Sequence, residues 1–502
     1  MRVRRLPALR CAVATSVAIA LVSGGARTAG AQESRATRDA LTLDQAIDIA
    51  QRQGLQAIAA TATRDAARQR ERAFGARLLP QLSIGGLLPN YSKSATPVIQ
   101  PDGSTLFVPL QTTDASLNLL VAQKIPFTGG DLFLSSSLDR YQVSGTNDSR
   151  TWSSTPISVG LRQDIFRPNA VAWDSREQEI NTEVSERQYF EAREDIALLV
   201  TAAFFDLYSA RTTLANATAN AAVNDTLYTL NKGRFEVGKI GENDLLQSEL
   251  SLLRARSSLD GAKLEFERAA ASFRLALNIG PGTALDIAVT PNVPDIEPDP
   301  AVAVEQALKN RSLSSALELV GVQAQRRITE ARLNNGAGAT LQATYGYNAT
   351  AAAPGAAAGD VYRNLLDQQK FSLSVSVPLV QWGLRSGLVG AAQADQRRVE
   401  STSRVTRAQS AQDARFAALT LSQARRQLAL ASKSDTVAAK RFEVAYARYV
   451  IGKIGVDNLY IAQNEKDQAL QQFVQALRGY WSAYYALRKI TLYDFAARHA
   501  IR

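Results

Sequence analysis

Arg234-Phe235-Glu236-Val237-Gly238-Lys239-Ile240-Gly241 and Arg448-Tyr449-Val450-Ile451-Gly452-Lys453-Ile454-Gly455 match at five of eight positions, 214 residues apart. Upstream, Ala210, Arg211, Leu214 and Ala215 match Ala424, Arg425, Leu428 and Ala429 at the same separation. A shared tetrapeptide could be chance in a chain of this length. Agreement at one offset over two stretches marks an internal duplication. In each copy the glycines supply backbone angles that a tight turn needs, and Asn243, Asp244, Asp457 and Asn458 are expected to cap the returning helix.

Outward from these turns the chain is helical. No proline falls between Pro168 and Pro281, nor after Pro378, and both stretches are rich in Ala, Leu, Gln, Arg and Glu. The helices over residues 170–230 and 384–446 would each run on the order of 90 Å at ~1.5 Å per residue. Ile196, Leu199, Ala203, Leu207, Ala210 and Leu214 recur at three- and four-residue steps, which predicts a seam packed as a coiled coil. Asp44-Gln45-Ala46-Ile47 resembles Glu305-Gln306-Ala307-Leu308 near the two repeat starts.

Elsewhere the period is two. Leu341 to Tyr347, Phe371 to Val377, Ile157 to Leu161 and, more briefly, Gln81 to Ile84 alternate apolar with small or polar residues. Leu117 to Ile125 and Asp131 to Val143, joined by Phe127-Thr-Gly-Gly130, are two further strands. Pattern alone leaves open a strand packed on a soluble core. Aromatic residues near strand ends, Tyr91, Phe107, Phe127, Phe166, Tyr345, Tyr347 and Trp382, suit the interfacial girdles of a membrane barrel.

The N-terminus reads as an export signal. Arg2, Arg4, Arg5 and Arg10 precede the apolar run Ala12 to Val22, and Ala29-Gly30-Ala31 is a small-residue cleavage site. The lone cysteine, Cys11, lies within that segment behind Arg10, where a lipid anchor would need a small residue, so the mature chain is expected to lack thiol chemistry. Five of the 57 basic residues also fall there, against no acids, which leaves an excess of five over the 47 acids. That mild balance is spread helix-surface arginine, and no nucleic-acid partner is expected. No later stretch approaches ~18 consecutive apolar residues, so a membrane could be crossed only by a closed barrel. His499 is the sole histidine, placed near a C-terminus expected to be mobile. Histidine triads and multi-histidine metal sites are therefore not expected, nor is a phosphate-binding glycine loop, a cofactor or an enzyme activity.

The predicted layout is a signal peptide over 1–31, then a first repeat over 32–280 with strands at about 81–166 and a hairpin at 170–279. A connector over 281–300 leads to a second repeat over 301–490, with strands at about 340–380 and a hairpin at 384–490, and a tail over 491–502.

Over nearly the whole mature chain the sequence resembles the TolC-like outer-membrane efflux family. The matching features are Leu41-Thr-Leu-Asp-Gln-Ala-Ile47, Leu78-Leu-Pro-Gln81, Val377-Pro-Leu-Val-Gln-Trp-Gly383, and Tyr449-Val-Ile-Gly452 followed by Leu459 and Ala462-Gln463. The resemblance implies a mixed, mainly α fold, internally duplicated: a homotrimeric channel-tunnel with a shared outer-membrane β-barrel and a long periplasmic α-helical coiled-coil barrel. It further implies a passive duct in outer-membrane lipid for tripartite efflux or type I secretion. The partners would be a periplasmic adaptor and an inner-membrane pump of the RND, ABC or MFS type. Under it the turn apices Val237, Gly238, Lys239, Ile240 and Gly241, with Ile451, Gly452, Lys453, Ile454 and Gly455, become adaptor-docking tips. Glu242, Asp244, Asp457 and Asn458 become gate residues, since three copies turn each carboxylate into a ring that attracts cations. Tyr91, Phe127, Phe166, Tyr345 and Trp382 become membrane-interface aromatics. Family members often carry acids at positions matching Asn458 and Ile461, so the second ring departs from the pattern. So does the strand count: about four candidates precede the first long helix where the family usually has two. Either an extra hairpin enlarges the barrel or residues 97–147 form an extracellular excursion. A soluble periplasmic coiled-coil scaffold or adaptor is the competing reading.

Overall fold

The computed structural model describes residues 40–144, 148–282, 286–290, 293–352 and 357–501. The expected signal segment lies outside the described residues. Leu41 onward forms one compact unit. In chain order its elements are α1 (Leu43–Gln53), α2 (Leu55–Arg77), β1 (Gln81–Ile99), β2 (Thr105–Lys124), β3 (Asp131–Ser144), β4 (Ser149–Ile165), α3 (Ala170–Glu236) and α4 (Glu242–Leu277). The second half follows with α5 (Pro300–Asn310), α6 (Ser312–Asn334), β5 (Gly338–Ala351), a short 3-10 turn (Asp360–Tyr362), β6 (Leu366–Ser376), α7 (Leu384–Val450) and α8 (Val456–Thr491). The duplication is strict in the hairpins. Both long helices have 67 residues and both returning helices 36, each pair displaced by 214 positions.

Helix ends repeat as well. Asn278 and Leu492 close α4 and α8 in the left-handed conformation. At the opposite end, Gly238 (φ 69°) and Gly452 (φ 75°) allow Lys239 N–H to reach Arg234 O at 2.8 Å and Lys453 N–H to reach Arg448 O at 2.9 Å. This six-to-one bond ends each long helix and turns the chain back.

The six strands form one antiparallel sheet in the order β1 to β6. All four strands ahead of α3 belong to it, so the segment 97–147 is sheet rather than a separate excursion; positions 145–147 fall outside the described residues. β1 runs far past Ile84, through Pro89 and Pro97. Proline is tolerated because β1 is an edge strand and Pro89 sits at the register shift between Leu87 and Asn90. β6 stops at Ser376, short of 380, because Pro378 brings no N–H to a ladder.

Neighbour relations among the helices put the wall of the molecule in a fixed order. Beside the sheet it is α2, α3, α6, α7; toward the turns it is α4, α3, α8, α7. The main core sits where α1 and α5 pack onto these walls, around Phe204, Phe205, Phe273, Leu477 and Tyr480. Of the predicted seam, Ile196 and Leu207 are buried there, whereas Leu199 is 41% exposed on the α2 and α4 side.

The C-terminal segment departs from the expected mobile tail. Leu492 is buried, Phe495 packs on the core, and His499 pairs with Asp494 in a two-residue strand. Arg488 explains this: it bonds both carboxylate oxygens of Glu194 at 3.1 Å and Asp494 at 3.1 Å. Asp494 in turn accepts the N–H groups of Ala496 and Ala497.

Candidate functional site at the hairpin tips

The two turns lie side by side and enclose a cleft of roughly 440 Å³, lined by Asn231, Arg234, Lys239, Ile240 and Asp244 from one hairpin and by Tyr449 to Gly452 and Ile454 to Val456 from the other. Its floor is apolar: Leu227, Tyr449, Val456 and Leu459 are buried together. Across it, the Tyr449 hydroxyl donates to Asn231 Oδ1 at 2.8 Å. The Arg234 guanidinium lies 5.3 Å from the centre of the Tyr449 ring and donates to Val450 O at 3.2 Å. A second link joins the hairpins where Gln247 Nε2 donates to Asp457 Oδ1 at 2.6 Å.

The predicted gate residues gather here, but not as caps. Gly241 and Gly455 occupy the N-cap positions, and neither returning helix has a side-chain cap bond. Glu242, Asp244 and Asp457 lie inside the first turn, where the helix dipole favours a negative charge without a capping bond. The chain reaches the helix through an extended glycine, which leaves no cap side chain. Asp244 is half-buried, while Glu242, Asp457 and Asn458 are exposed. Val237, Gly238, Lys239, Gly241, Ile451, Gly452, Lys453 and Gly455 are exposed at the apices, with Ile240 and Ile454 half-buried beneath them.

What ties the hairpins together is not visible in the sequence. Tyr449 matches Phe235 by offset, yet Tyr449 is 4% exposed and Phe235 39%. Only the hydroxyl distinguishes them in sequence, and its partner Asn231 is 218 positions away. The matched arginines stand out by their offset, but the offset does not say what they hold. Arg211 grips Asp286 and Ile287 O, and Arg425 grips Asp295 and Glu297, so each repeat holds one arm of the connector.

The sheet carries the predicted aromatics. Phe127, Phe166 and Trp382 stand 95%, 69% and 96% exposed at its helix-side border. Phe166 and Trp382 each take a positive φ, 59° and 48°, where a strand passes into a long helix. Tyr91 and Tyr345 lie inside β1 and β5 rather than at strand ends. Register places Leu82, Val121, Leu134, Val159 and Tyr345, ending at Gln369, in one row on one face. The next row, on the opposite face, is Ala122, Phe133, Gly160, Thr344 and Lys370. Among the described residues no helix is long and apolar enough to cross a membrane, and no cluster of metal-ligating side chains occurs.

A sheet with one greasy and one polar face, seated on two duplicated helical hairpins, defines the channel-tunnel class. Residues 45–279 match the profile of the outer membrane efflux protein family. No curated protein sequence matches the chain. Among solved structures, the fold is similar to the Campylobacter jejuni CmeC outer membrane channel (15% identity, 92% of this chain and 87% of that one, TM-score 0.61). It is likewise similar to the outer membrane protein VceC of Vibrio cholerae (14%, 89% and 95%, 0.62) and the Neisseria gonorrhoeae MtrE outer membrane channel (15%, 89% and 88%, 0.61). The profile match thus covers the first repeat, and the chain as a whole has the fold of these outer-membrane channels.

Proposed function

We propose that the chain is one subunit of a homotrimeric duct through which a tripartite efflux or type I secretion system expels small molecules or proteins. An inner-membrane pump of the RND, ABC or MFS type would deliver them through a periplasmic adaptor. The observation that carries this reading is that the protomer has two unfinished edges along its length. α4, α2 and β1 form one, and β6 and α7 the other.

These edges suit each other. Unpaired strand edges are not tolerated in lipid, so β1 and β6 need partners there. Near the turns α4 is acidic, with Glu242, Asp244 and Glu249, and α7 is basic, with Lys433, Lys440, Arg441 and Arg448. Glu249, Lys433 and Arg448 have no ion pair among the described residues, leaving charge to complement a neighbouring copy. The greasy face of the sheet would meet lipid, with Phe127, Phe166 and Trp382 at the periplasmic border and Tyr91 and Tyr345 toward the outer one. Ala339 to Tyr347 spans about 26 Å along the strand, close to the apolar band of outer-membrane barrels.

At the far end the tips form the controlled entrance. Asp244 and Asp457, each present three times, would draw cations. Lys239 and Lys453, exposed at the apices with Val237 and Ile451, offer the adaptor a mixed basic and apolar surface. Cross-linked envelopes from cells expressing the cognate adaptor and pump provide the test. The channel should bring both down, and a Lys239→Glu, Lys453→Glu double variant should lose them while still assembling. Retention by that variant would contradict docking at the tips; recovery of the parent without adaptor or pump would contradict the tripartite reading.

A further inference from the structure

The two repeats differ in one place. The hairpin helices are displaced by 214 positions, but α1 and α5, like α2 and α6, are displaced by 257. The 43-residue difference falls between α2 and α3, where four strands stand against the two between α6 and α7. By order of entry and exit, β1 corresponds to β5 and β4 to β6, so the surplus is the β2–β3 hairpin. That hairpin is not appended to the sheet. It occupies the middle of it, and β1 reaches the rest only through β2 and β3.

We propose that in the assembled channel β6 of each protomer pairs with β1 of the next, closing an eighteen-stranded barrel as wide as the helical tunnel, so that the outer-membrane pore does not select cargo by size. This rests on the trimeric channel reading above. β1 leaves the helix side and β6 returns to it, so they meet antiparallel, as closure of an all-antiparallel sheet requires. The join has a natural length: Gln81 to Leu88 offers a ladder of eight residues before Pro89 removes a donor, and β6 has eleven.

The girth follows from spacing. Eighteen strands about 4.8 Å apart and tilted by about 40° give a circumference of about 113 Å, whereas twelve would give about 75 Å. Each protomer contributes four helices at either level of the wall. Twelve helices at roughly 8–10 Å spacing ring about 100–120 Å, ignoring their tilt. The added hairpin therefore brings the barrel up to the tunnel's width. Its polar face includes Ser83, Ser135, Ser158 and Ser372, short side chains that take up little of the lumen. Selection by size passes to the tips, and the barrel admits whatever chain or bulky solute the tunnel carries.

Paired cysteines test the closure, since Cys11 lies in the export segment. Face parity sets Ile84 of β1 on the same side as Leu373 and Val375 of β6. Oxidation of outer membranes carrying Ile84→Cys with Leu373→Cys, or Ile84→Cys with Val375→Cys, should link one protomer to the next in at least one pair. The products should be covalent dimers and trimers and nothing larger. Ile84→Cys with Ser374→Cys, on opposite faces, should stay unlinked. Trimers in which neither same-face pair links, or in which Ile84→Cys links instead to Val159→Cys of β4, would overturn the eighteen-strand closure and leave the channel reading intact. Absence of any trimer, with or without cysteines, would instead defeat the channel reading.

Discussion

The Tyr449 hydroxyl donates 2.8 Å to Asn231 across the two hairpins, with both side chains almost fully buried at the tips. Asn231 Nδ2 has no partner among the described residues, so this bond is the one that satisfies its amide. Tyr449→Phe removes the donor and leaves a buried acceptor unpaired, a loss of about 1–3 kcal/mol of cohesion between hairpins. We expect higher basal conductance in planar bilayers, with normal assembly. Parental conductance in that variant would mean the bond does not hold the entrance closed.

Asp244 and Asp457 should set ion preference. Replacing both with alanine lowers cation selectivity, read as a shift in reversal potential under a salt gradient. Asp457→Asn separates charge from contact, because an amide can still accept from Gln247. If it behaves as the parent, the contact matters and the charge does not.

Much of this architecture is legible because long-range order leaves local marks. Two proline-free stretches mark the helices, a pair of matching octapeptides marks the turns, and the 214-residue offset joins them. Only four of the nineteen residues of β1 stand out in sequence, because Pro89 and Pro97 look like strand breakers and their tolerance depends on an edge position that only pairing defines. The expected capping by Asp244 and Asp457 misses by a few residues, since aspartate favours the N-cap and the first turn alike, and only Gly241 and Gly455 settle which. The Tyr449–Asn231 and Arg488–Glu194 contacts join residues 218 and 294 positions apart, and nothing local announces them.

The Arg488 cluster makes a stability prediction. Arg488→Met leaves Glu194, 2% exposed, without its partner and should cost about 3–5 kcal/mol. Although the pair is bidentate, burial outweighs the attraction of Arg488 and lifts the Glu194 carboxyl above the ordinary carboxylate range. Its contribution is then complete below the unfolded carboxyl value and lost as pH rises through the folded one. Glu194→Gln should therefore gain stability relative to the parent as pH climbs from the acid side of the carboxyl range toward neutrality, measured by thermal melting of detergent-solubilised protein. A relative loss over that interval would show that the ion pair outweighs burial.

Phe166 and Trp382 keep strained left-handed backbones while exposing their rings, and under the channel reading proposed above an anchoring role at the lipid border would offset that cost. Replacing both with serine should reduce the amount of protein recovered in outer membranes without changing the helical content of what is recovered. Undiminished recovery would remove them from the membrane border.

The central claim, that three protomers complete one pore in the outer membrane, is tested most directly by separating envelope fractions and comparing heated with unheated samples on gels. We predict that the protein sediments with outer membranes and migrates unheated as a trimer that collapses to the monomer on boiling. Recovery as a monomer from the aqueous periplasmic fraction, with no heat-modifiable species in the outer membrane, would contradict it.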